Sequence, residues 1–181
     1  MPRITPIDPA TAAGDAATQL ATTRKMFGST PNMFTTAAHA PAALAALNGL
    51  FASLAKASLG LKTGEQIAIA VAQANGCGYC LSAHTAIGTM HGLEAAELAG
   101  ARRASSANPK TAAILALATA INASRGQVSD AVLATARTAG ITDAEIVEVV
   151  AHVALNVFTN ALNNLCHTDI DFPVVALETA V

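Results

Sequence analysis

Residues 63–91 read TGEQIAIAVAQANGCGYCLSAHTAIGTMH. The run Ile67-Ala68-Ile69-Ala70-Val71-Ala72 is unbroken apolar sequence, and Asn75-Gly76 stops it. Thr63-Gly64-Glu65-Gln66 reads as a capping box opening that helix, with Thr63 closing the first turn and Gln66 reaching back. Cys77-Gly78-Tyr79-Cys80-Leu81-Ser82-Ala83-His84 reads as a turn entering a second helix, which ends by His91-Gly92. Two helices meeting at a pair of cysteines are the centre of this sequence.

The composition extends the helical reading to the whole chain. About a quarter of the 181 residues are alanine, aromatics are 3%, and there is no Trp. Alanine is the strongest helix former, whereas sheets draw on β-branched and aromatic residues. The expected fold class is all-α. The length matches one domain and is enough to bury a substantial core. No linker or low-complexity tract divides the chain, so residues 1–181 read as a single-domain helical bundle.

Turn chemistry predicts the remaining elements. A first helix starts after Asp8-Pro9 and ends near Phe27-Gly28, and a loop follows through Asn32. A second covers Pro41 to Ser58, with Leu44, Leu47, Leu50 and Leu54 at helical spacing and Gly60 as its terminator. Short helices follow at Glu94–Arg102 and from Ser129 to Gly140. Asn108-Pro109 caps another that runs to Ala123. Thr142-Asp143-Ala144-Glu145 is a second capping box, opening a long helix to about Leu165. The segment Asp169-Ile170-Asp171-Phe172-Pro173 reads as irregular. Thr63-x-x-Gln66-Ile67 aligns with Thr142-x-x-Glu145-Ile146 as a near-repeat: two related helical units or two chance-alike caps.

Ten basic and twelve acidic residues give a net charge of −2, so no nucleic-acid partner is expected. The opening Met1-Pro2-Arg3-Ile4-Thr5-Pro6 has no apolar signal core, and no uninterrupted run of about eighteen apolar residues marks a membrane span. The expectation is a cytoplasmic protein with no membrane partner. Hydrophobic residues make up 52% and charged residues 12%; the surplus apolar surface points to a homo-oligomer.

Three cysteines without an export signal do not form a disulfide framework. Cys77 and Cys80 sit as Cys-x-x-Cys at a helix start, where backbone N–H groups and the helix dipole favour a thiolate. His84, four residues after Cys80, shares its helix face and can take or hold the thiol proton. Glu65 lies on the first turn of the preceding helix. A hairpin would separate the two helix starts and a crossed packing would join them; spacing leaves both open. The competing readings are two buried small hydrophobes, or a zinc site completed by His91, Cys166 or His167. No metal is expected, because a core of this size does not need one. His152, Asn156 and Asn160 form a polar stripe on the long last helix that needs partners; they read as satisfied core polars, with a pocket lining or a subunit interface as the alternatives. Cys166-His167 reads as structural, Arg102-Arg103 as a solvated turn, and Met26, Met33 and Met90 as core filler.

The pattern Glu65-x11-Cys77-x2-Cys80-x3-His84 resembles the signature of the alkylhydroperoxidase D-like proteins of the carboxymuconolactone decarboxylase superfamily. Pro31-Asn32-Met33-Phe34, Leu61-Lys62-Thr63-Gly64-Glu65 and Asp169-Ile170-Asp171-Phe172-Pro173 look like its peroxidase-related branch. The resemblance covers roughly residues 30–175. It implies an oligomeric all-helical fold and thiol-dependent reduction of a hydroperoxide. Carried over, Cys80 is the attacking thiol, Cys77 the resolving one, and His84 with Glu65 a proton relay. The electron donor is then a dithiol or another protein, since no flavin or nicotinamide fingerprint is visible and no cofactor is expected. Better-known members have a second His where this chain has Tyr79, and a phenol titrating near ~10 is no base at neutral pH. Two further functions compete: a lyase or isomerase of the decarboxylase branch, which has no need of the cysteines, and a non-catalytic redox-sensing oligomer.

Overall fold

Capping chemistry sets where many of the helices begin. In the computed structural model, which describes residues 1–178, the Asn108 side chain accepts from the N–H groups of Lys110 and Thr111 and opens a helix at Pro109. Ser129 caps the next, and Thr142 and Glu145 form a reciprocal capping box. The described residues form nine helices and no strand: α1 Gly14–Phe27, α2 Asn32–Ala37, α3 Pro41–Leu54, α4 Gly60–Ala74, α5 Gly78–Met90, α6 Ala95–Arg102, α7 Pro109–Ser124, α8 Asp130–Thr138 and α9 Asp143–Cys166. The all-α expectation holds.

Helices α4 and α9 form the centre. α4 packs on α5, α6, α7 and α9, and α9 also meets α2, α3, α5 and α7. Every residue from Gln66 to Ala72 is buried, so α4 has no solvent face at that level. Gly64 lies so close to α9 that an added Cβ would stand 2.9 Å from His152 Cε1. On the other flank Phe27, Phe34 and Phe51 join α1, α2 and α3, with ring centroids 5.1–5.6 Å apart. Thr23 Oγ1 donates to Asn48 Oδ1 at 2.9 Å and pins α1 to α3 inside the core.

Several boundaries differ from the sequence expectation. Asp8 makes a local turn with Ala10, Thr11 and Ala12 that does not propagate, and α1 starts at Gly14. The short α2 falls in a stretch left without an element. α3 ends at Leu54, and Gly60, at φ +76°, opens α4 instead of closing α3. Thr63 is therefore an interior residue and no capping box forms there. Glu148 of α9 supplies the missing acceptor: its carboxylate takes the N–H groups of Ser58 and Leu59 and the Ser58 hydroxyl. Gln66, expected to reach back, is buried in α4. The near-repeat fails for the same reason, and α9 continues through Asn156 where α4 has already broken. Met33 is core, but Met90 is 83% exposed. Arg102 is an anchor rather than a solvated residue, donating to Gln73 and to the Ala176 carbonyl, whereas Arg103 is exposed as expected and pairs with Glu178.

By length and composition α9 could cross a bilayer. In the fold it is the central helix, with His152, Asn156, Asn160 and Asn163 buried against its neighbours. Its opposite face exposes Val147, Val150, Val157, Phe158 and Leu165. Gly64→Ala is expected to lower stability by about 1–3 kcal/mol, because the new methyl must displace a buried imidazole. Urea unfolding of the two proteins measures it.

Candidate active site

Helix α5 begins at the first cysteine. Cys77 is its N-cap: the backbone N–H of Cys80 donates to Cys77 Sγ at 3.2 Å. Both sulfurs are buried, Cys77 at 0% and Cys80 at 2% exposure, and both are free thiols. His84 lies one turn beyond Cys80, as the spacing predicts.

The question of Glu65 has a geometric answer. The start of α4 lies beside the far end of α5, since a Cβ on Gly88 would meet Glu65 Cβ at 3.7 Å. The two helices are a hairpin, which does separate Glu65 from the first turn of α5. It delivers Glu65 instead to His84, whose Nδ1 donates to Glu65 Oε2 at 2.7 Å. The chain Glu65–His84–Cys80 thus runs back along α5 toward its N-terminus. With Nδ1 engaged, Nε2 is the ring atom left to exchange a proton.

The electrostatics separate the two thiols. The Cys77 thiol donates toward Cys80 and is buried beside it, which pushes Cys77 well above the ordinary range. Cys80 is lowered to about 7, first by that hydrogen bond and then, against burial, by His84 and the amides of Asn163 and Asn160. Burial alone would lower His84, but the charge and hydrogen bond of Glu65, with the Cys80 thiolate, hold it above its usual value. A thiolate and an imidazolium therefore stabilise each other next to a carboxylate.

The polar stripe on α9 divides. Asn156 is satisfied, its Nδ2 donating to the His152 carbonyl at 2.8 Å. Asn160 accepts from Asn75 at 3.0 Å, its Nδ2 has no partner besides Cys80, and His152 Nε2 has none at all. Burial lowers His152 and keeps its ring neutral. Asn163, which the stripe omitted, continues it by one turn and donates from Nδ2 to Cys80 Sγ at 3.3 Å. Its place three residues after Asn160 on an apolar helix was the available signal.

Tyr79 is a latch. Its hydroxyl donates to Asp171 Oδ1 at 2.8 Å and accepts from the Met33 N–H at 3.2 Å, while Phe172 packs edge-on against its ring. Burial raises its pKa further, so it takes no part as a base. Asp171 also accepts from the Asn32 N–H, and Val175 N–H donates to Ser82 Oγ. Residues 169–178 thereby lie as a strap over the start of α5. Between that start and the end of α9 runs a groove of about 420 Å³, with Gly78, Tyr79, Asn163, Thr168 and Ile170 on its walls.

Among the described residues no group of three or more His, Cys, Asp or Glu side chains is arranged to hold a metal. His91 and His167 are exposed at the C-terminal ends of α5 and α9, and Cys166 is buried.

A profile described as the carboxymuconolactone decarboxylase family matches residues 40–107, which include Glu65, both thiols and His84. An alkylhydroperoxidase AhpD core, an uncharacterized peroxidase-related protein from Ralstonia eutropha JMP134, has a similar structure. It is 26% identical over 94% of this chain and 92% of its own, with a TM-score of 0.79. A peroxidase-related protein from Silicibacter sp. TM1040 is 19% identical over 90% and 88%, with a TM-score of 0.77. The debrominase Bmp8, in complex with 2,3,4-tribromopyrrole, shares the fold at 22% identity over 93% and 91%, with a TM-score of 0.78. No curated protein sequence gives a match.

Glu65→Gln keeps the shape and removes the charge. The His84 pKa is then expected to fall, because burial is no longer opposed, and the Cys80 pKa to rise as its imidazolium partner is lost. Titration of the His84 ring protons by NMR measures the first, and the pH dependence of Cys80 alkylation the second.

Proposed function

We propose that this chain is a thiol-dependent hydroperoxide reductase of the carboxymuconolactone decarboxylase superfamily, a family of enzymes. The observation that carries the reading is the unequal pair of thiols. Cys80 Sγ accepts from the Asn163 amide and lies one turn before His84, itself held by Glu65, which lowers Cys80, whereas Cys77 caps the helix beside it and is raised. A site built for a lyase through Glu65 and His84 alone gives no reason for that arrangement.

In the proposed cycle the Cys80 thiolate attacks the terminal oxygen of ROOH. The O–O bond breaks, Cys80 becomes a sulfenic acid, and the alkoxide leaves. His84, as imidazolium, supplies the proton that makes ROH, and Glu65 stabilises the charge it carries beforehand. Cys77 then gives up its proton and attacks the Cys80 sulfur, forming the disulfide and releasing water. A dithiol, free or on a protein partner, resets the pair by exchange and leaves as its own disulfide. Such a cycle suits the reducing cytoplasm. No metal or organic cofactor enters it.

The exposed apolar face of α9 supports a homo-oligomer as the working form. Light scattering is expected to give a mass that is a multiple of 18.1 kDa, and a monomer at micromolar concentration contradicts it.

The function is tested by peroxide consumption with a generic dithiol. Cys80→Ser and Cys77→Ser are each expected to abolish turnover, with Cys77→Ser leaving a sulfenic acid on Cys80 for a trapping reagent. His84→Gln is expected to slow turnover by ~10²–10⁴-fold, the usual contribution of a proton-transfer group. Turnover of a small lactone or acid that survives both cysteine substitutions supports the lyase reading. Disulfide formation that changes the assembly without consuming peroxide catalytically supports the sensor.

A further inference from the structure

Both sulfurs are buried, so a hydroperoxide needs a way in and a group to receive it. Asn163 stands on the wall of the groove and also donates to Cys80 Sγ at 3.3 Å, so one side chain joins the groove to the sulfur. Asn163 is 3% exposed, and its Oδ1 has no partner. Thr168 Oγ1, on the same groove and 7% exposed, has none either. One turn back on α9, Asn160 Nδ2 faces Cys80 and makes no other hydrogen bond. Buried polar atoms are nearly always paired, so two open ones on one groove, Asn163 Oδ1 and Thr168 Oγ1, point to a missing polar ligand.

We propose that Asn163 is a catalytic residue that receives an organic hydroperoxide arriving through the groove between α5 and α9. Its Nδ2 holds the Cys80 thiolate, and its Oδ1 accepts the hydrogen of the terminal O–H. Asn160 Nδ2 is the second donor beside the sulfur, and Thr168 Oγ1 is a polar contact on the way in. The organic group lies against Ile170 and Tyr79, in a space large enough for a small alkyl or aryl substituent. Asn163 gains and loses no proton; it brings the terminal oxygen to the sulfur and leaves the transfer to His84. The assignment rests on the reading of Cys80 as the attacking sulfur.

The first test uses no peroxide. The pH midpoint for alkylation of Cys80 by iodoacetamide, read by peptide mass, is expected near 7 in the native protein. In Asn163→Ala it rises by roughly one pH unit, as the loss of a charged hydrogen bond implies. Should that variant not fold, Asn163→Leu has nearly the same shape, lacks the donor without adding a charge and carries the same expectation. Asn163→Ala is also expected to raise KM for cumene hydroperoxide. The second test fills the groove: Gly78→Leu, where a Cβ meets only Ile170 at 3.9 Å, is expected to slow labelling of Cys80 by dithiodipyridine several-fold at an unchanged alkylation midpoint. An unchanged labelling rate overturns the groove as the way in. A midpoint unmoved in Asn163→Ala beside an active native enzyme overturns only this assignment. A native protein that consumes no peroxide overturns the functional reading, and hydroperoxide as the ligand with it.

Discussion

Between Gln66 and Ala72 every residue of α4 is buried, because α5, α6, α7 and α9 all pack against it. A helix can be surrounded in this way only if it is thin. Ala68, Ala70 and Ala72 alternate with Ile67, Ile69 and Val71, and Gly64 lets α9 come closer still. The alanine that first signals helix thus has a second effect: it sets the spacing between axes. That spacing places Glu65 within hydrogen-bond distance of His84. A bulkier α4 would move α5 and α9 apart and leave the thiols without the amides that now face them.

The site is an arrangement of a few charges in a poorly hydrated interior, where each is held by the others. Burial opposes a thiolate at Cys80 and an imidazolium at His84, and their mutual attraction with Glu65 overcomes it. Two thiols this close cannot both ionise, so one keeps its proton and donates it to the other. Cys77 has that part although it caps the helix, because the side chains that favour negative charge — His84 and the α9 amides — lie on the Cys80 side, and Cys77 has backbone N–H groups alone.

What could be read from the sequence follows the distance over which each interaction acts. Cys77, Cys80 and His84 belong to one helix, and their relation follows from helical spacing. Asn108, Ser129 and Thr142 cap helices with their own neighbours, and those starts were legible. The start of α4 was not, since its acceptor is Glu148, 90 residues away from Ser58. Thr63 offers the letters of a cap without the position of one. Glu65 required knowing how α4 packs on α5, and its role came only from resemblance. Asn163 looked like one more polar residue on an apolar helix until α9 was laid against α5. The solvated reading of Arg102 failed because its partner, the Ala176 carbonyl, lies on a strap that local pattern cannot place.

The same strap has a consequence for biosynthesis. Tyr79 and Asp171 are separated by 92 residues of chain. At translation rates of about 5–20 residues per second, the cysteines leave the ribosome roughly 5–20 s before the segment that covers them is made. During that interval the pair lacks its cover, and oxidation in the nascent chain meets none of the protection found in the finished protein. Whether the dithiol form is obtained therefore depends on how reducing the surroundings of the nascent chain are, apart from any need for it in turnover.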